Sequence, residues 1–224
     1  MIIHGIPGSL VELLKPVRHK AEQRGLFPHD YKALEHMGDI GRVVERMKRL
    51  YEGESFPLSN HILDYGIIAE NRFIEDIKYY LRNQEGHLFN NAEISCQDEG
   101  FSGVGLTVHP DHLLVMPQVF FYIETKNWTP AYLNRKGKRE GVKAQMDHTK
   151  TIMRSAFPAD IPVPRAFLYD HRGSFQRQLD GYEVIESPRA LLDIIVQEIN
   201  TPRLPYYEKL ITVLDHDLYH KKEK

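Results

Sequence analysis

The sequence predicts an α/β protein with a mixed central sheet, and three observations carry that prediction. Apolar residues between Asn60 and Leu81 recur at helical spacing. Residues 111–116 and 119–126 are rich in β-branched and aromatic side chains and meet at Pro117-Gln118, which reads as an antiparallel hairpin. Helical spacing returns over residues 141–156 and gives way to a strand over residues 162–169, so helices and strands interleave as in layered domains.

At 224 residues the chain is long enough for one good-sized core, and 42% hydrophobic with 27% charged residues is an ordinary globular composition. The single cysteine, Cys96, cannot form an internal disulfide, so a reducing compartment is expected. No basic region followed by an apolar run marks a signal peptide at the start, and no stretch approaches membrane-spanning length, which makes a cytoplasmic location the expectation.

Residues 1–60 read as mainly helical, with apolar positions at helical spacing in residues 9–15 and 39–51. In the next helix Leu63, Ile67, Ile74, Ile77 and Leu81 form one stripe, and Glu70 falls in its gap. A core-facing carboxylate is costly unless hydrogen-bonded, paired or bound to a cation; the other reading of Glu70 is a helix-edge residue near solvent. Residues 92–96 and 104–108 read as short strands ahead of the hairpin.

The hairpin fixes a distance. A loop centred between Pro117 and Gln118 sets Met116 against Val119 and, further out, Asp111 against Glu124, with Cβ atoms roughly 4.5 to 5.5 Å apart. Loops of two or four residues keep this pairing, whereas three or five shift it by one. Facing carboxylates repel, so the pair is expected with a compensating cation or at a solvated edge. Period-two alternation puts Glu124 and Lys126 on one face.

The stretch after Trp128 is polar and basic. Lys126, Arg135, Lys136, Lys138, Arg139, Lys143, Lys150 and Arg154 stand against only Glu140 and Asp147, a charge run that a solvated helix face or a phosphate-binding surface would equally produce. In the following helix Val142, Gln145, Thr149, Ile152 and Ala156 share a side, and a Gln on that stripe needs partners. Residues 182–185 read as a strand, and residues 188–200 and 205–219 as closing helices, each with Pro near the first turn. The organisation is a helical segment at 1–60, a core at 61–175, and a strand with helices at 176–224 packed on that core.

Ala69-Glu70-Asn71-Arg72, Pro110-Asp111-His112, Tyr122-Ile123-Glu124-Thr125-Lys126-Asn127-Trp128, and Gln145 with His148 resemble, in this order, the motifs of the nuclease-related domain proteins, a branch of the PD-(D/E)xK nuclease superfamily. The resemblance covers roughly residues 60–170. It departs from the family at Ala69, where a Gly is usual, and over the insertion-like residues 98–109. It implies a restriction-endonuclease-like core of helix, three strands, helix and strand with extra N-terminal and C-terminal helices. It also implies a metal-dependent nuclease, with DNA as the substrate expected.

On that resemblance Asp111 and Glu124 are the main ligands of Mg²⁺, with Mn²⁺ as a substitute, and the Thr125 carbonyl and Glu70 complete the shell. Lys126 orients or activates the attacking water, and Gln145 assists at the phosphate or water. Trp128, Arg135, Lys136, Lys138, Arg139 and Lys143 would bind the nucleic-acid backbone, although packing at a strand end is the favoured reading of Trp128. Oxygen ligands suit such hard cations, and phosphodiester hydrolysis needs the charge neutralisation that they supply. A homodimer is compatible with this reading, and no membrane partner is expected. His109 and His112 would point to different faces, which disfavours a zinc site. A catalytically weak nucleic-acid-binding or assembly module that keeps the fold is the alternative. The intact Asp111, Glu124 and Lys126 argue against it.

Overall fold

The computed structural model describes residues 1–5, 8, 61–97, 105–176 and 179–219. A six-stranded mixed sheet runs in the order β1 (Ile2–His4), β2 (His87–Asn90), β5 (His112–Met116), β6 (Val119–Lys126), β7 (Arg165–Asp170) and β8 (Glu183–Ile185). β3 (Ile94–Gln97) and β4 (Gly105–Val108) form a separate antiparallel pair. The helices are α1 (His61–Leu81), α2 (Pro130–Leu133), α3 (Lys138–Ala156), α4 (Pro188–Glu198) and α5 (Tyr207–Tyr219).

Two apolar clusters show how the layers stack. Phe73, Ile74 and Ile77 of α1 and Leu191 and Ile195 of α4 pack with Leu114, Phe121, Ile123 and Phe167 on one side of the sheet. Val142, Met146 and Ile152 of α3 and Leu210 and Leu214 of α5 pack with Leu113, Val115, Phe120, Tyr122 and Leu168 on the other. Consecutive residues of β6 therefore alternate between the clusters, and with both faces covered the strand is buried nearly throughout. β6 pairs antiparallel with β5 and parallel with β7, and the parallel pairing requires a crossover, which α3 provides.

The hairpin has the expected register, from Met116↔Val119 to His112↔Ile123, around a two-residue turn. Neither Pro117 nor Gln118 has a positive φ, so this is not a mirror-image turn of the kind short hairpins prefer. α4 begins with Pro188 in its first turn, and the Ser187 hydroxyl accepts from Ala190 N as its cap. Such a cap contributes about 1 kcal/mol.

Four readings need correction. β1 and β2 form where the pattern predicts no strand; HLFN is only four residues long and is too continuously buried to alternate. The strands expected at 92–96 and 104–108 lie outside the main sheet, so the three core strands between α1 and α3 are β2, β5 and β6. The basic loop at 129–140 contains α2, capped by Thr129, and α3 starts at Lys138. Gln145 is exposed and lies at the rim of its helix stripe, while Met146 and Met153 fill the buried face. The helices expected within 9–15 and 39–51 lie outside the described residues. Among the described residues, no helix is long and apolar enough to cross a membrane.

Candidate functional site

Asp111, Glu124, Lys126 and Gln145 converge where β6 ends and β5 begins. Glu124 is 1% exposed and points to the α3 side of the sheet. Its Oε1 accepts from Lys126 Nζ and, at 2.6 Å, from Gln145 Nε2, and its Oε2 accepts from the Tyr122 hydroxyl at 2.7 Å. Tyr122, Glu124 and Lys126 share a face by strand alternation, so β6 itself brings the lysine and the phenol to the carboxylate. Gln145 reaches the same oxygen from α3 even though much of its side chain is exposed.

Asp111 enters from the adjoining strand. Its Oδ2 accepts from Thr125 N at 2.7 Å and from Thr125 Oγ1 at 3.0 Å, clasping the end of the hairpin. Extending the ladder two steps past His112↔Ile123 places Pro110 opposite Thr125, and Pro110 has no N–H to give to the Thr125 carbonyl. Glu70, on α1, is 3% exposed, so the buried reading of this residue holds.

The electrostatics follow from this crowding. Burial pushes the Glu124 carboxyl above its ordinary range, the negative charge of Asp111 pushes it further, and Lys126 opposes both. Burial alone would lower the Lys126 ammonium, but Glu124, Asp111 and Glu70 outweigh it and raise the group above its ordinary value. Lys126 is thus a cation held by carboxylates, and its contact with Glu124 supplies the counter-charge expected for the facing pair.

The set fits a hard divalent cation in donor chemistry: two or three carboxylates, a backbone carbonyl near the strand end, and an Asp111 Oδ1 that takes no hydrogen bond among the described residues. Among the described residues, no three His, Cys, Asp or Glu side chains gather closely enough to form a ready-made metal cluster. Glu124 Oε1 is occupied by Lys126 and Gln145, and Oε2 by Tyr122.

Residues that the sequence did not single out hold this strand end in place. The Lys126 carbonyl accepts from His171 N at 2.9 Å, Arg172 Nε donates to Asn127 Oδ1 at 2.7 Å, and Ser174 Oγ donates to the Trp128 carbonyl. Fully buried Asp170 closes the loop by accepting from Phe175 N at 2.6 Å and Arg172 N at 3.4 Å. Burial raises the Asp170 carboxyl, and these N–H donors oppose the rise. Tyr122 was legible from its period-two relation to Glu124, whereas the loop after β7 became relevant only once β7 was known to pair with β6.

The basic candidates divide. Arg139 donates to the Phe175 and Ser174 carbonyls, and Lys143 pairs with Asp147, so both are tied to neighbouring structure. Arg135 and Lys138 flank the Tyr132 ring at 5.1 and 4.8 Å, and Lys136 is exposed beside them. Trp128 is half-buried, edge-on to Tyr132 at 5.0 Å and stacked towards Phe175 at 6.4 Å, with Lys126 Nζ 5.9 Å from its centroid. His109 is exposed whereas His112 is fully buried, which separates the two histidines as expected. His112 Nδ1 lies 2.8 Å from Asn90 Oδ1, and burial depresses its pKa to about 3 against a weaker opposing pull from Glu124.

The family model described as nuclease-related domain matches residues 65–183, more than half the chain and all of this constellation. The small subunit of the heterodimeric restriction endonuclease R.BspD6I is a structural neighbour at 15% identity and a TM-score of 0.25, covering 67% of this chain and 89% of that one. A similarity that slight carries no argument. No curated protein gives a match.

Proposed function

Because the chain belongs to the nuclease-related domain family, we propose that it is a metal-dependent nuclease that hydrolyses phosphodiester bonds, with DNA as the substrate and Mg²⁺ as the ion. The observation that carries this reading is the convergence of Asp111, Glu124 and Lys126 at one strand end, two carboxylates and an ammonium with Gln145 beside them.

Asp111 Oδ1, Glu124 and the Thr125 carbonyl would hold the ion, with Glu70 completing the set. When bound, such an ion neutralises charge on the scissile phosphate and favours ionisation of water near neutral pH. The chain's own groups do the rest. Tyr122 holds Glu124 by Oε2 and fixes the direction in which Oε1 faces. Lys126 would present its ammonium to the attacking water and to a phosphoryl oxygen. Gln145 donates to Glu124 or to the phosphate from the α3 side.

Arg135, Lys136 and Lys138, grouped around Tyr132, would grip the backbone of the nucleic acid without reading its sequence. Arg139 and Lys143 would contribute less, since the first is tied to the Phe175 and Ser174 carbonyls and the second is paired with Asp147. One such site cuts one strand, so a double-strand cut would bring two copies together. The cytoplasm is the setting that we assign to this activity.

The test is cleavage of supercoiled, linear and single-stranded DNA and of RNA, in Mg²⁺, Mn²⁺ or EDTA, with wild type beside Lys126→Ala. Metal-dependent products from wild type alone support the nuclease and identify its substrate. Retained DNA binding without cleavage of any substrate would instead favour a non-catalytic module, the role that a Glu124 permanently occupied by Lys126 would fit.

A further inference from the structure

We propose that the N-terminal strand is a working part of this site: by fixing Asn90 it holds His112, and with it Asp111, in the position from which Asp111 binds a divalent cation. The inference rests on the reading of Asp111 as a metal ligand.

β1 lies parallel on β2, with His4 opposite Phe89. The next side chain of β2, Asn90, donates from Nδ2 to the His4 carbonyl at 2.9 Å. That bond fixes which way the amide faces, and its Oδ1 therefore meets His112 Nδ1 at 2.8 Å. An oxygen acceptor at Nδ1 requires the proton to be on Nδ1, so the strand selects the tautomer of a fully buried imidazole. Among the described residues His112 Nε2 has no hydrogen-bond partner, and the ring stacks on Phe73 at 4.6 Å, so the Asn90 contact is its polar anchor.

The backbone beside it is tied to the same place. Asn91 N donates to the Asp111 carbonyl at 3.0 Å, and Asn91 sits at φ 52, a left-handed conformation that Asn tolerates better than most residues. The N-terminal segment presses directly on this turn. A Cβ at Gly5 would lie 2.5 Å from the Asn90 carbonyl oxygen, and one at Gly8 would lie 2.9 Å from Asn91 Oδ1. Glycine is required at Gly5 on both counts, since its φ is +71. His112 and Asn90 are thus positioning residues, acting on the cation through Asp111. Partners that orient a metal ligand are worth about 10- to 100-fold in metal affinity, and here the contact is made through the Asp111 backbone.

The experiment is a titration with Mn²⁺, reading free ion by electron paramagnetic resonance, on wild type, Asp111→Asn, His112→Leu, His112→Asn and Gly5→Ala, with thermal melts to confirm folding. Asparagine keeps a donor where Nδ1 stood, so His112→Asn separates positioning from mere loss of a buried ring. The proposal predicts that His112→Leu and Gly5→Ala weaken Mn²⁺ binding by about 10- to 100-fold and that His112→Asn restores most of it. Gly5→Ala decides the matter if His112→Leu does not fold. Wild-type affinity in folded His112→Leu and Gly5→Ala, with binding lost in Asp111→Asn, would overturn the inference and leave the metal site standing. Absence of wild-type binding, or binding that survives Asp111→Asn, would overturn the metal-site reading and this inference with it.

Discussion

Replacing His112 with asparagine will flatten the acid side of the stability profile. The imidazole is held at about 3 in the folded chain against an ordinary 6.5, so between those values the unfolded chain carries a proton that the folded chain does not. Stability then rises with pH, and it is lost as pH falls from 6.5 towards 3, at a limiting slope of about 1.4 kcal/mol per pH unit. Integrated from pH 7 to pH 5, this one group costs about 2 kcal/mol, a large share of a stability of roughly 5 to 15 kcal/mol. His4, His87 and His171 are also depressed, chiefly by burial, and add slope of the same sign. Glu124 is raised, so its contribution has the opposite sign: present at low pH and lost as pH rises through its folded value. These groups are common to both proteins, and the difference between the two profiles isolates His112. The assay is urea denaturation of wild type and His112→Asn at half-unit steps between pH 7 and pH 5. Parallel profiles would mean that folded His112 takes up a proton as readily as an unfolded one, and the neutral, Asn90-bound imidazole would be refuted.

Three further outcomes are expected. Lys126→Ala lowers single-turnover cleavage by at least about 10²- to 10³-fold, the scale of losing one transition-state donor, while DNA affinity measured by fluorescence anisotropy changes little; equal losses in both would make Lys126 a binding residue only. Joint replacement of Arg135, Lys136 and Lys138 by alanine reduces the slope of log affinity against log salt by roughly 2 to 3, and Lys143→Ala, whose charge pairs with Asp147, leaves the slope close to that of wild type. Because burial and Asp111 raise the Glu124 carboxyl, Mn²⁺ affinity falls off on acidification at a higher pH than the 4.5 of an ordinary glutamate. A titration of Mn²⁺ affinity against pH checks this, and an onset at or below 4.5 would contradict it.

The hairpin was legible in the sequence because residue type and register agree there: once Pro117 and Gln118 are the turn, pairing Asp111 with Glu124 is arithmetic, and alternation adds Lys126. Glu70 was legible as an anomaly within a helical stripe, although the pattern alone could not separate burial from a solvated edge. The residues missed share a cause, which is that their roles depend on neighbours distant in sequence. β2 has no alternation to detect because both of its faces are covered, and β1 is recognisable only by lying on β2. Asn90 matters because of His4 and His112, and Asp170 because β7 pairs with β6. Gln145 shows the converse, since a rim position still delivers its amide to Glu124 when the side chain is long enough.

We propose that the end of this hairpin holds the divalent ion used in phosphodiester hydrolysis. Anomalous diffraction from crystals grown with Mn²⁺ tests it most directly. The expected result is a manganese peak bonded to both Asp111 and Glu124, with Lys126 Nζ released from Glu124. Diffraction showing no manganese there, with Lys126 still on Glu124 at saturating Mn²⁺, would contradict it.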